Sequence, residues 1–155
     1  MCGIWAIINR CILTPEKLNS FEKVKPRGPD HSIIHLNASS IIGFHRLSIN
    51  DLTSKGEQPF CHFNTEYKYT VIANGEIYNH RELRKKHGLE IDSRSDCAVI
   101  LPLFMKLGDN FEALNHELHG EYAIFLIREE IKTATVDYFV ATDPLSVRPV
   151  FYCSD

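Results

Sequence analysis

Cys2 carries the most chemistry in this sequence, because removal of Met1 would leave a thiol and a free α-amine on one residue. A thiol of pKa ~8.5 and an α-amine of pKa ~7.7–8.0 exchange a proton at neutral pH, so one residue would hold both nucleophile and base. Taken alone, a cysteine in an apolar run is more simply a small buried side chain. Arg46 ends an expected strand in Arg46-Leu47-Ser48-Ile49-Asn50-Asp51, where its planar guanidinium can hold a carboxylate bidentately while Leu47 and Ile49 line a pocket. An isolated arginine is nonetheless more often a surface ion pair. Asn74-Gly75-Glu76 is expected to end a strand in a tight turn, with the Asn74 amide and the Gly75 N–H as two donors suited to an oxyanion, each worth ~3–4 kcal/mol in that role. On spacing alone, an ordinary Asn-Gly hairpin turn is the better reading. Ser95-Asp96 opens an expected helix, where a capping hydroxyl or carboxylate requires no function, so Asp96 is ambiguous by itself.

The elements that must position these residues follow from the pattern of apolar side chains. Ile4 to Ile8 is short, apolar and β-branched, as a buried strand is. Thr14-Pro15 opens a short helix with Leu18, Phe21 and Val24 on its apolar face, ending at Pro26. Ile33–Leu36 and Ser40–Phe44 suggest a hairpin joined by Asn37-Ala38-Ser39, and Tyr67–Ala73 is a further strand. Asn79–His87 is a polar surface helix closed by Gly88, a second helix starts at Ser95 and ends at Gly108, and a third covers roughly Phe111–Leu118. Two long strands, Glu121–Arg128 and Thr135–Ala141, form a hairpin, and Arg148–Tyr152 is expected as a last strand. Neighbouring strands paired in sequence, with helices grouped between them, predict an α+β fold with antiparallel sheets.

The 155 residues, 44% hydrophobic and 24% charged, suffice for one domain with a buried core. A net charge of −3 gives no basic footprint for nucleic acid. The longest nearly apolar stretch, Cys97 to Met105, contains Pro102 and is far shorter than the ~20 residues that span a bilayer. With no membrane span and no basic segment before the apolar Cys2–Ile8 run, a cytoplasmic protein is expected. The five cysteines are scattered without a C-x-x-C pair, and His116-x-x-His119 lacks a third ligand at a recognisable spacing, so neither a disulfide framework nor a metal site is expected. Arg81, Arg84, Lys85, Lys86 and His87 are expected on a solvated helix face.

In order, Met1-Cys2-Gly3-Ile4, Arg27-Gly28-Pro29-Asp30, Arg46-Leu47-Ser48-Ile49, Gly56-x-Gln58-Pro59, Asn74-Gly75-Glu76-Ile77-Tyr78-Asn79, Ser95-Asp96 and Asp143-Pro144-Leu145 resemble the glutaminase domain of asparagine synthetase, a class II glutamine amidotransferase. The resemblance covers residues 1–155 as one domain. It implies an N-terminal-nucleophile hydrolase fold, a four-layer αββα sandwich of two antiparallel sheets, incomplete at its C-terminal end because family members continue into further strands and an ATP-using synthetase domain. It also implies roles: Cys2 as nucleophile, Asn74 and Gly75 as oxyanion hole, and Arg46 on the glutamine α-carboxylate. Asp96 and Glu76 would face the α-ammonium, with Leu47, Ser48, Ile49 and Asn50 completing the substrate segment. Glutamine would be hydrolysed to glutamate and ammonia through a Cys2 thioester, with no metal or organic cofactor; ATP and Mg would belong only to a downstream synthetase domain. Expected partners are glutamine and a synthetase domain in cis or trans, with a homodimer as a further possibility and no nucleic acid or membrane. The alternative is a catalytically weak amidotransferase-like interaction or regulatory module. Where the family usually has Gly in Asp-Pro-x-Gly, this chain has Ser146, which puts a special backbone angle at that turn in question.

Overall fold

The computed structural model describes residues 1–9, 12–37 and 39–153. Cys11, and Ala38 in the expected hairpin turn, lie outside the described residues. Among the described residues, seven strands form two antiparallel sheets. In the first, β1 (Gly3–Ile8) and β2 (His31–Leu36) flank β3 (Ser40–Arg46), with Gly3 opposite His45 and His31 opposite Arg46. In the second, β4 (Phe60–Phe63), β5 (Tyr67–Ile77), β6 (Gly120–Glu130) and β7 (Val136–Thr142) lie in sequence order.

Alternation along the strands sorts the core into layers. Ile42 and Phe44 of β3, Ile72 of β5, and Phe125 and Ile127 of β6 meet between the sheets, joined by Cys2, Ile4 and Ala6. The opposite faces of β5 and β6 present Val71, Ala73, Ile77, Tyr122, Ile124 and Leu126 to a larger core closed by α2 (His80–His87), α3 (Ile100–Lys106) and α4 (Phe111–Glu117). On the far side of the first sheet, α1 (Pro15–Glu22) buries Phe21 alone. Its ring stacks on His45 with centroids 3.9 Å apart, and a Cβ at Gly43 would meet it at 2.5 Å, so residue 43 has to be glycine for α1 to sit this close. The order is therefore helix, sheet, sheet, helices: the expected αββα sandwich.

Thr14 caps α1 by accepting from the Lys17 N–H, with Pro15 in the first turn, and Gly88 closes α2 at φ +61°, both as the sequence predicts. Four expectations are corrected. The Thr14 helix stops at Glu22, and Pro26 sits inside a separate 3₁₀ turn, Lys25–Arg27. The helix expected from Ser95 begins as a 3₁₀ turn, Cys97–Val99, before α3. Arg148–Tyr152 forms no strand: Phe151 and Tyr152 are exposed, and the Asp143 carboxylate takes the N–H groups of Leu145, Val147 and Arg148, which holds the chain in a turn. Finally β5 does not end at Ala73 but runs on through Asn74, Gly75 and Glu76 to Ile77. The short edge strand β4 was not anticipated; its Cys61-His62 centre is polar and exposed, so it lacks the usual apolar signature.

Candidate active site

The alternation that builds the inter-sheet core also builds the cleft at its end. Ile42 and Phe44 are followed on the same face by Arg46, Ile72 by Asn74 and Glu76, and Ala6 and Ile4 by Cys2. Cys2, Arg46, Asn74 and Glu76 thus meet at the mouth of a cleft of about 140 Å³ that Leu47, Ile49, Asn50, Gly75 and Asp96 also line. Of the expected substrate segment only Ser48 lies off the cleft wall; its N–H donates to Asp30 Oδ2 at 2.7 Å and so anchors the segment to the Arg27–Asp30 loop.

The Cys2 thiol lies beside the backbone of Leu47, whose N–H points at Sγ from 3.5 Å and whose carbonyl oxygen is 3.7 Å away. Arg27 Nε donates to the Cys2 carbonyl at 3.3 Å. Met1 is half exposed at the cleft mouth, with its sulfur between the guanidinium groups of Arg27 and Arg148. Arg148 is itself paired with Glu121 at 2.8 Å.

Asn74 and Gly75 are not in a hairpin turn. Gly75 is needed for another reason: a Cβ there would overlap the Glu121 carbonyl oxygen and the backbone of Tyr122 on β6. The strand still leaves a donor free to act. Ala73 turns its N–H and C=O toward the Gln58 side chain, and the Ile77 N–H reaches Asp96 Oδ2 at 2.7 Å, both on the side of β5 away from β6. By strand alternation the Gly75 N–H points to that same side, between Gln58 and Asp96, beyond the end of β4, whose last partner on β5 is Val71. The Asn74 side chain is buried in the cleft wall, and its Oδ1 has no hydrogen-bond partner among the described residues.

Arg46 and Asp96 are both more than nine-tenths buried. Arg46 donates to the Asp51 carbonyl and lies 3.6 Å from Glu57 Oε1. Asp96 is the residue before the 3₁₀ turn, but its carboxylate caps nothing; it accepts from the Ile77 N–H and, at 2.7 Å, from Asn50 Nδ2. Glu76 is exposed at the rim.

Three supporting residues escaped the sequence reading. Gln58, present in the quoted Gly56-x-Gln58-Pro59 motif without a role, replaces a missing strand beside Ala73. The Asp51 carboxylate accepts from Thr53, from the Ser93 hydroxyl and from the Arg94 N–H, which ties the Arg46 segment to the loop before Asp96; these bonds hold its pKa far below the usual carboxylate range. Cys97 lines the cleft from beneath, and burial pushes its thiol pKa well up, so it stays protonated. Gln58 and Asp51 lie in motifs already noted, but their roles depend on Ala73 and on Ser93 and Arg94, which only folding brings near.

Two antiparallel sheets between helical layers, with a cysteine at the mouth of the inter-sheet cleft, define the N-terminal-nucleophile hydrolase class of architecture. The chain belongs to the glutamine amidotransferase domain family, whose model matches residues 1–155. It is 36% identical over 159 residues to a probable glutamine-hydrolysing asparagine synthetase of Acanthamoeba polyphaga mimivirus, covering 98% of this chain and 27% of that protein. Against a putative asparagine synthetase of Methanocaldococcus jannaschii it is 36% identical, covering 100% of this chain and 32% of the relative. Asparagine synthetase B of Escherichia coli is 32% identical, with coverages of 97% and 26%. The chain thus spans about a quarter to a third of the length of these relatives.

Proposed function

We propose that this chain hydrolyses glutamine to glutamate and ammonia with Cys2 as nucleophile. The observation that carries the reading is the convergence, in one cleft, of a thiol at chain position 2, a guanidinium and a carboxylate for the two charged ends of an amino acid, and an unpaired strand edge at Gly75. Removal of Met1 frees the Cys2 α-amine at the cleft mouth. The thiol passes its proton to that amine, and sulfur attacks the side-chain carboxamide carbon held opposite it. The carbonyl oxygen takes up the negative charge and is stabilised by the Asn74 amide and the Gly75 N–H. The C–N bond breaks as the ammonium returns its proton to the leaving nitrogen, releasing ammonia and leaving a γ-glutamyl thioester. Water, deprotonated by the same amine, then cleaves the thioester to glutamate and regenerates the thiol. The half-reaction balances with thiol, amine and water alone.

The relatives named as glutamine-hydrolysing asparagine synthetases support a wider role in which the ammonia passes to a synthetase domain, in cis or trans; ATP with Mg is proposed to act only in that domain. The test is glutamate and ammonia release by the purified chain, with intact mass measured on the same sample. Activity in a protein lacking Met1, and its loss in Cys2→Ala with an unchanged circular dichroism spectrum, is the expected result. Glutamine hydrolysis at the parent rate by Cys2→Ala, or by protein that retains Met1, overturns it.

A further inference from the structure

A second cavity, of about 280 Å³, lies on the other side of Asn50 from the glutamine cleft and is walled by Asn50, His80, Arg81, Arg84 and Arg94. We propose that this cavity binds a phosphate group. Its lining contains three guanidinium groups and no carboxylate. Among the described residues none of Arg81, Arg84 and Arg94 has a carboxylate within ion-pair distance, whereas Arg46, Arg128 and Arg148 all do. Arg84 is half-buried and spends its donors on backbone carbonyls, those of Ser93 at 2.9 Å, Ser95 at 3.0 Å and Ile91 at 3.5 Å. Its Nε is buried without a partner, and so is His80 Nδ1. Burial lowers the Arg84 pKa, an effect that the Asp96 carboxylate opposes.

The cavity also sits at the start of α2, whose first residue is His80. Asn79 occupies the capping position but gives its side chain elsewhere, donating to the Glu117 carbonyl at 2.8 Å and accepting from the His119 N–H at 3.0 Å. No side chain caps the first turn, so its N–H groups keep their positive partial charge. Three carboxylates lie nearby and none lines the cavity: Asp96, behind Asn50, is committed to the Ile77 N–H and the Asn50 amide, Glu76 belongs to the rim of the other cleft, and Glu82, in the first turn of α2, is exposed outside the cavity wall.

Part of the cavity wall is fixed in place before any ligand arrives. Arg84 is held by three carbonyls, and the backbone of Arg94 is pinned by the Asp51 carboxylate. Three guanidiniums and a helix start exceed what one carboxylate can use, and they match a tetrahedral oxyanion of charge about −2 with several acceptor oxygens. The source of the phosphate group is either free phosphate or diphosphate, or a nucleotide.

Calorimetric titration of the full chain with inorganic phosphate, diphosphate and AMP, at constant ionic strength in chloride, tests this. Saturable binding of at least one of them is expected. The double variant Arg81→Ala/Arg94→Ala, made at two exposed positions, should weaken it by about tenfold or more, while Cys2→Ala should leave it unchanged. Phosphate or diphosphate binding as tightly as AMP identifies the free ion as the source; AMP binding more tightly identifies a nucleotide. No saturable binding of any of the three at concentrations on the order of 1 mM, or equal affinity in a folded double variant, overturns the proposal.

Discussion

Arg46 and Asp96 are two opposite charges, both removed from most of their water, on the walls of one narrow cleft. Each is held by backbone groups, Arg46 by the Asp51 carbonyl and Asp96 by the Ile77 N–H, so their positions are fixed whether or not a substrate is present. On the proposed reading, Arg46 and Asp96 hold the two charged ends of glutamine in ground and transition state alike, so Arg46→Ala and Asp96→Asn should raise KM with a smaller change in kcat. The asparagine variant is preferred at position 96 because it keeps an acceptor for the Ile77 N–H. Asn74→Ala belongs to a different class, since in the proposed mechanism its amide meets a charge that exists only in the transition state; kcat should fall by ~10²–10³ with little change in KM. Steady-state kinetics on the three variants separates these roles, and equal KM increases across all three would refute the division. The types of these residues were legible in the sequence, because a strand end bearing arginine and an amide-glycine pair are suggestive chemistry. Their convergence was not, since it depends on strand parity in two sheets that only folding brings face to face.

At the scale of elements, β5 is where sequence and structure part most clearly. Asn-Gly reads as a turn because glycine weakens strands and tolerates any φ, yet Gly75 is extended and paired with Tyr122. The missing Cβ serves the close approach of β6, a property of the neighbour that no local pattern encodes. Gln58 is the counterpart of that extension: its amide gives Ala73 both the donor and the acceptor that a strand beyond β4 would have given. Gln58→Leu leaves one buried N–H and one buried C=O unpaired, at about 2–4 kcal/mol in total, which chemical unfolding would register. A loss below about 1 kcal/mol would mean that water replaces the side chain. The turn after β7 resolves the question that the Ser146 departure raised, because the left-handed angle is kept without a glycine. Ser146 adopts φ +50° where the family pattern has glycine, while the Asp143 carboxylate holds the turn around it. Ser146→Gly removes a left-handed strain of about 1 kcal/mol, so the melting temperature should rise; an unchanged or lower value would show that the turn carries no such strain.

For the whole molecule, the cleft exists because two sheets stay in register across their shared core. Cys2 and Arg46 come from the first sheet and its flank, Asn74 and Gly75 from the second, and the packing of Ile42, Phe44, Ile72, Phe125 and Ile127 joins the two faces beneath them. Ile72 is fully buried in that layer and lies two residues before Asn74 on the same face of β5. Ile72→Ala should therefore cost ~2–5 kcal/mol of stability, and Ile72→Val only ~0.5–1.5, since the cavity left behind grows with the methyl groups removed. The alanine variant should also turn over glutamine more slowly per folded molecule, because a sheet that settles into the void shifts Asn74 relative to Cys2 and a misplacement of ~1 Å can cost about 10²-fold. Denaturant unfolding followed by kinetics at a temperature where both variants are folded measures the two effects separately. Stability within ~1 kcal/mol of the parent for Ile72→Ala would show that the sheets are held by other contacts. A large loss of stability with unchanged kcat would show that the cleft is set by its own hydrogen bonds, those of Gln58, Asp51 and Asp96, and not by the core beneath it.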